Sequence, residues 1–220
     1  KGANLKITNV QMFHVGKLYV RIQTNAGITG WGETYGLVPK AAIELCAAMG
    51  EGIKGENPTR IEHIWQRLYR GHRDMRGGPF LTNVISGIDQ ALWDIAGKHY
   101  NVPAYMLLGG AVRDRIRVYA HWGIQGQSDE ALSSARDRLD MLLQKGYTAF
   151  KSGPGGKWRA HEPPARIDAF VKDAYTMREW VGDDVELCFD FHGKMAPGLA
   201  IEVCHQLEGM RPMFVEEPIP

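Results

Sequence analysis

From Arg115 to Pro220 the chain alternates strand and helix without a break, and this rhythm constrains the fold more than any other feature of the sequence. "RVYAHWG" reads as a strand, "SDEALSSARDRLDMLLQKG" as a helix with Ser128 at its N-cap, and "YTAFKSG" as the next strand. "PARIDAFVKDAYTMREWVG" spaces its apolar residues for a second helix, and "VELCFDFHG" follows as a third strand. "PGLAIEVCHQLEGM" sets Leu199, Val203 and Leu207 on one stripe of a third helix, and "PMFVEEPIP" supplies a fourth strand. Strands separated by helices pair in parallel through right-handed crossovers, so the fold is α/β, either a doubly wound sheet or a barrel. "SGPGGK", Ser152 to Lys157, follows a strand but fits neither GxxxxGK[ST] nor GxGxxG, which argues against a nucleotide phosphate site.

The first half has another rhythm. "LKITNVQMFHV" and "KLYVRIQT" alternate apolar and polar residues, and Asn25 and Gly27 mark a turn before a third short strand, which predicts an antiparallel meander. "PKAAIELCAAMGEGI", "PTRIEHIWQRLYR" and "FLTNVISGIDQALWDIAGKHY" then space apolar residues at three and four, with Pro39, Pro58 and Pro79 at or near their starts. These segments are expected to pack as a helical bundle. Pro103 and the Gly109, Gly110 pair end it, placing a boundary near residues 109–116 and two domains at 1–114 and 115–220.

Composition narrows the partners. With 26 Lys and Arg against 25 Asp and Glu, the net charge of +1 offers no basic surface for nucleic acid or an anionic membrane. No apolar run approaches the roughly 18 residues needed to cross a bilayer, and "KGANLKITNV" lacks the apolar core of a signal peptide. Cys46, Cys188 and Cys204 are odd in number and lack CxxC spacing, which argues against a disulfide framework and a structural zinc site and suits a reducing cytoplasm.

Strand parity then singles out the ionisable residues. In "CFDFHG" Phe189 and Phe191 share one face, suited to helices, while Cys188, Asp190 and His192 share the other, near the end of the strand where β/α barrels carry their chemistry. The same alternation turns Lys151 inward on the preceding strand, and Phe214 and Glu216 inward on the following one. Asp190 and Glu216, one β/α unit apart, are expected as neighbouring carboxylates at matching height. They repel unless a cation or proton lies between them, and oxygen ligands of this kind suit magnesium. Either acid alone reads equally well as a helix cap or a solvated residue; converging with a lysine, they read as a site. His192, two residues from a candidate ligand, becomes a candidate acid or base.

"GITGWGE" (residues 27–33), "RGGPFLTNVISGIDQALWDIAGK" (76–98), "VPAYMLLGG" (102–110), "DFHGKMAP" (190–197) and "RPMFVEEPIP" (211–220) together resemble the enolase superfamily, mandelate racemase subgroup, and within it the galactonate dehydratase type of sugar-acid dehydratase. The resemblance implies an N-terminal α+β capping domain, here 1–114, and a modified TIM (β/α)7β barrel, of which 115–220 is about the first half. It further implies Mg2+ bound by acids at successive strand ends, with Asp190 as first ligand, Glu216 as second, and His192 assisting the leaving hydroxyl. Lys151 is then the residue that steers the substrate carboxylate. The expected reaction is loss of the proton next to a carboxylate and of the β-hydroxyl, giving a 2-keto-3-deoxy acid.

Two departures shape that expectation. Racemase and cycloisomerase relatives carry Lys-x-Lys on the second barrel strand, whereas Lys151 is followed by Ser152 and Gly153, which favours dehydration. The chain also ends after its fourth barrel strand, so the third metal ligand and the His-Asp base pair of the family are expected on a longer polypeptide. An epimerase or cycloisomerase of the same fold, and a non-catalytic binding protein, are the competing readings. Substrate stereochemistry is expected to be read by capping-domain loops near His14–Lys17 and Gly71–Gly78, and the resemblance implies a homo-oligomer.

Overall fold

The computed structural model describes residues 4–36, 38–124, 126 and 128–220. The chain divides into two compact units, Lys1–Asp114 and Arg115–Pro220.

In the first unit β1 (Ile7–Val15), β2 (Lys17–Thr24) and β3 (Thr29–Thr34) form an antiparallel sheet in chain order. Leu18, Val20, Ile22 and Thr24 are buried at alternate positions of β2, as the period of a half-buried strand requires. Four helices follow: α1 (Pro39–Ile53), α2 (Ile61–Gly71), α3 (Pro79–Tyr100) and the single turn α4 (Ala104–Leu107). The helices contact one another, α2 packing on α3 and both meeting α1, and they also cover the sheet. Within that arrangement α1 lies on β1 and α3 lies on β2 and β3. An antiparallel sheet with one apolar face needs a cover, and the apolar stripes of α1 and α3 provide it in one core that includes Ile22, Met49, Ile88 and Leu92.

Contact between α3 and β3 is backbone on backbone. A Cβ on Gly30 would stand 2.1 Å from the Ala91 carbonyl oxygen, and one on Gly32 would stand 2.1 Å from that of Gly87. The two glycines of "GITGWGE" therefore set the distance between helix and sheet. Side chains of α3 also bond the outer edge of β3: the Trp31 N–H donates to Asp94 at 2.9 Å and the Glu33 N–H to Gln90 at 3.1 Å. That edge is closed to further strand pairing.

The second unit contains β4 (Ala120–His121), α5 (Asp129–Gln144), β5 (Ala149–Ser152), α6 (Pro164–Val181), β6 (Glu186–Asp190), α7 (Pro197–Leu207) and β7 (Phe214–Glu216). The sheet order is β4-β5-β6-β7, every pair parallel. A doubly wound sheet reverses its strand order at a switch point; this sheet steps one way, strand by strand, as the wall of a barrel does. The Ser128 hydroxyl caps α5, accepting from the Ala131 N–H at 3.2 Å. β4 is shorter than "RVYAHWG" suggested, because only Ala120 and His121 register against β5. On the helix side Phe150, Phe189 and Phe191 are fully buried; Phe170 of α6 meets both Phe189 and Phe191 edge-on, at 5.8 and 5.5 Å between centroids.

Candidate active site

The C-terminal ends of β5, β6 and β7 bring Lys151, Asp190 and Glu216 together. Asp190 pairs in register with Glu216 across the parallel ladder, which puts the two carboxylates side by side. Lys151 Nζ lies 2.8 Å from Asp190 Oδ2 and 2.6 Å from Glu216 Oε2. The cation that like charges demand is therefore an ammonium from the neighbouring strand. Lys151 and Asp190 are buried, with their side chains 8% and 7% exposed, while Glu216 is half-open at 40%.

Burial by itself would raise the pKa of Asp190. Hydrogen bonds from Lys151 and from the His192 backbone N–H, with the charge of Lys151, outweigh it and hold the carboxyl below its ordinary value of 3.8. On Lys151 burial pushes down, but the hydrogen bonds to both acids push harder, and the ammonium is held above its ordinary 10.5. The face of the Tyr119 ring lies 5.7 Å from Nζ and adds a further attraction to the charged form.

His192 arrives by a different route from the one strand parity suggested. β6 ends at Asp190, and the chain turns at His192, whose φ of +50° lies in the left-handed region. Such a backbone costs about 1 kcal/mol or more for a residue with a Cβ. The turn is held by the backbone, since the Gly193 N–H donates to the Glu217 carbonyl at 2.7 Å and the Met195 N–H to that of Pro218 at 3.2 Å. The imidazole is 67% exposed with Nε2 3.2 Å from Asp190 Oδ2.

Gly153 accounts for the missing second lysine. A Cβ at this position would stand 2.1 Å from the Asp190 carbonyl oxygen, so no side chain fits unless β6 shifts. The glycine loop beyond β5 packs directly on the strand that carries Asp190.

Lys151, Gly153, Asp190 and His192 line a cleft of about 360 Å³ that also includes His121, Arg138 and Lys194. Reading the sequence missed those three. His121 stands in register beside Lys151 and was open to the same parity argument; Arg138 reaches from α5 to bond the His121 carbonyl at 3.3 Å, and nothing local marks it. Around one buried carboxylate the cleft gathers the cations Lys151, Arg138 and Lys194, a balance that suits an anionic ligand.

Among the described residues no group of three His, Cys, Asp or Glu side chains gathers to hold a metal. Two carboxylates nonetheless direct oxygens at one cation-filled point, and magnesium is commonly held through one or two carboxylates with water completing its shell. Two hard carboxylate oxygen donors of this kind are compatible with Mg2+. Cys46, Cys188 and Cys204 are free thiols, and burial pushes the Cys46 pKa up to about 12. No helix among the described residues is long and apolar enough to cross a membrane.

Comparison with known proteins agrees with both units. Residues 5–109 match the mandelate racemase/muconate lactonizing enzyme N-terminal domain, and residues 134–220 match the enolase C-terminal domain-like family. A D-galactonate dehydratase of Variovorax paradoxus is 38% identical across 98% of this chain and 56% of its own length. One from Cronobacter sakazakii is 36% identical with the same coverage, so the chain spans about half the length of these curated relatives. Among solved structures, an enolase and candidate galactarate dehydratase from Agrobacterium radiobacter, bound to sodium and L-malate, superposes with a TM-score of 0.84 at 35% identity, covering 98% of this chain and 55% of that one. A member of the enolase superfamily from Salmonella Typhimurium superposes with a TM-score of 0.87 at 27% identity, covering 98% and 62%. With a capping domain ahead of a partial enolase-type barrel and both halves matched, the chain belongs to the mandelate racemase/muconate lactonizing enzyme family of the enolase superfamily.

Proposed function

We propose that the protein carrying this chain is a Mg2+-dependent acid sugar dehydratase, a hydro-lyase acting on a galactonate-like aldonate, with residues 1–114 as capping domain and 115–220 as the first part of its barrel. One observation carries the reading: two adjacent carboxylates and a buried lysine converge at the ends of successive parallel strands, and Lys151 and Asp190 of this cluster line an otherwise cationic cleft. The names of the relatives support the substrate class.

Asp190 and Glu216 would hold the magnesium ion. When bound, it supplies the positive charge that stabilises a substrate carboxylate as the neighbouring proton is lost. Lys151 pairs with that carboxylate and orients it. His192, which lines the cleft with its Nε2 beside Asp190, donates a proton to the departing β-hydroxyl, a step that typically contributes on the order of 10² to 10⁴ in rate. Gly153 weighs against a racemase or cycloisomerase, since a base at that position has no room for its Cβ. The free cysteines support a cytoplasmic setting, and the family supports a homo-oligomer.

The test is to incubate the full-length protein with Mg2+ and a panel of aldonates and aldarates while following 2-keto acid formation. The expected result is 2-keto-3-deoxy acid from galactonate or a close stereoisomer. Exchange of the α-proton with solvent deuterium on several sugar acids, with no loss of water from any of them, would overturn dehydration in favour of epimerisation.

A further inference from the structure

Asp190 and Glu216 both contact the same ammonium, and that arrangement has a consequence for how they would take up a divalent ion. Lys151 Nζ is within hydrogen-bond distance of each acid, at 2.8 and 2.6 Å, with its side chain 8% exposed. Magnesium held between the two acids needs their oxygens at about 2.0–2.1 Å and so would occupy the space between them where the ammonium sits. An ammonium and a divalent ion cannot share that position, because two cations a few ångströms apart in a poorly solvated site repel strongly. One must leave. The lysine is free to do so: its charge sits at the end of a flexible four-carbon stem, the face of Tyr119 lies 5.7 Å from Nζ, and the cleft opens beside it.

We propose that Lys151 is a placeholder counter-ion, which neutralises Asp190 and Glu216 while no divalent ion is bound and swings into the cleft when one binds, delivering its ammonium to the substrate carboxylate. This rests on the assignment of the two acids as metal ligands. Two couplings follow. Metal binding must break two ion pairs, so Lys151 weakens metal affinity while stabilising the metal-free fold. An anion in the cleft pairs with the released ammonium, so metal and anion strengthen each other's binding by the same factor.

The experiment is calorimetric titration of Mg2+ into the full-length protein, comparing wild type with Lys151→Met, Lys151→Gln and Asp190→Asn, with and without malonate as a non-reacting anion. Lys151→Met and Lys151→Gln should bind Mg2+ roughly tenfold tighter than wild type, within the usual span of coupling between sites. They should melt lower than wild type in chelator, and the deficit should close at saturating Mg2+. Malonate should tighten Mg2+ binding in wild type and not in either Lys151 variant. Unchanged or weaker Mg2+ affinity in both Lys151 variants, with binding lost in Asp190→Asn, would overturn the placeholder and leave the metal ligands standing. Equal Mg2+ binding by wild type and Asp190→Asn, or none by wild type, would overturn both. Wild type alone gives an independent reading should the variants fail to fold: Mg2+ should raise labelling of Lys151 by an amine-reactive reagent several-fold by mass spectrometry, and unchanged or reduced labelling would overturn the proposal.

Discussion

In the first unit the inner face of the sheet, Leu18, Val20 and Ile22, meets α3 through hydrocarbon and glycine, whereas in the second unit the barrel-facing positions of β5 and β6 bury Lys151 and Asp190. Both regions pack a sheet against helices, and both meet hydrocarbon on the helix side. They differ in what stands on the other face. A buried charge without a partner costs several kcal/mol, and even a paired one rarely outperforms a well-packed apolar side chain. Two charges in the core of a strand are therefore retained for a reason other than stability, and left-handed backbone at His192 and Glu217, adjoining the two acids, points the same way. The meander unit is a scaffold in which local preference and packing agree, while the barrel unit gives up part of that agreement at the strand ends.

The largest break in this comparison should come from His192→Asn. His192 is exposed and its side chain supports no core, so the variant should melt close to wild type. Dehydration should nevertheless fall roughly 10²- to 10⁴-fold, the usual contribution of a positioned proton donor. Exchange of the α-proton with deuterium, followed by NMR, should survive. Equal loss of exchange and dehydration would make the imidazole a positioning group or the base.

Leu92→Ala should do the reverse. Leu92 is 1% exposed in the core of the first unit, and deleting such a side chain costs about 2–5 kcal/mol through lost transfer energy and the cavity left behind. Urea midpoints should drop accordingly while Mg2+ affinity, measured on the folded variant, stays at the wild-type value. A parallel loss of metal binding would dissolve the division between scaffold and site.

The same division decides what could be read from the amino acids alone. α3 was legible because 22 residues repeat one apolar stripe behind Pro79, and the faces of Phe189 and Asp190 were legible because a strand has period two. Parity also turned Lys151 toward the two acids, but it does not say how far a four-carbon stem will reach, so the ammonium between Asp190 and Glu216 emerges only in three dimensions. Nor does it survive the end of a strand, which is why His192 reaches Asp190 through a left-handed turn instead of along β6. The short β4 and the contact of Gly153 with the Asp190 carbonyl depend on partners far away in sequence. That the bundled helices also cover the sheet was not legible for a related reason: periodicity marks which face of a helix is apolar but not what covers it.

The smallest effect, and the most direct measure of what the buried pair contributes to folding, is its dependence on pH in the presence of chelator. Asp190 is held below 3.8 in the folded protein, so the folded state binds this proton less readily than the unfolded chain. Its stabilising contribution is then complete above the unfolded value near 3.8, and is lost as pH falls through the lower folded one. Lys151 works at the opposite end: held above 10.5, it contributes fully below that value and loses its contribution as pH rises beyond it. Urea midpoints of wild type and Asp190→Asn should therefore differ by a constant amount from pH 5 to 9. The gap should narrow in acid, once the Asp190 carboxylate of the folded protein takes up its proton. A wild-type advantage that persists unchanged to pH 2, or that is absent at pH 7, would mean that the Lys151–Asp190 pair contributes nothing to stability, and the contrast between a hydrocarbon core and a charged one would then rest on function alone.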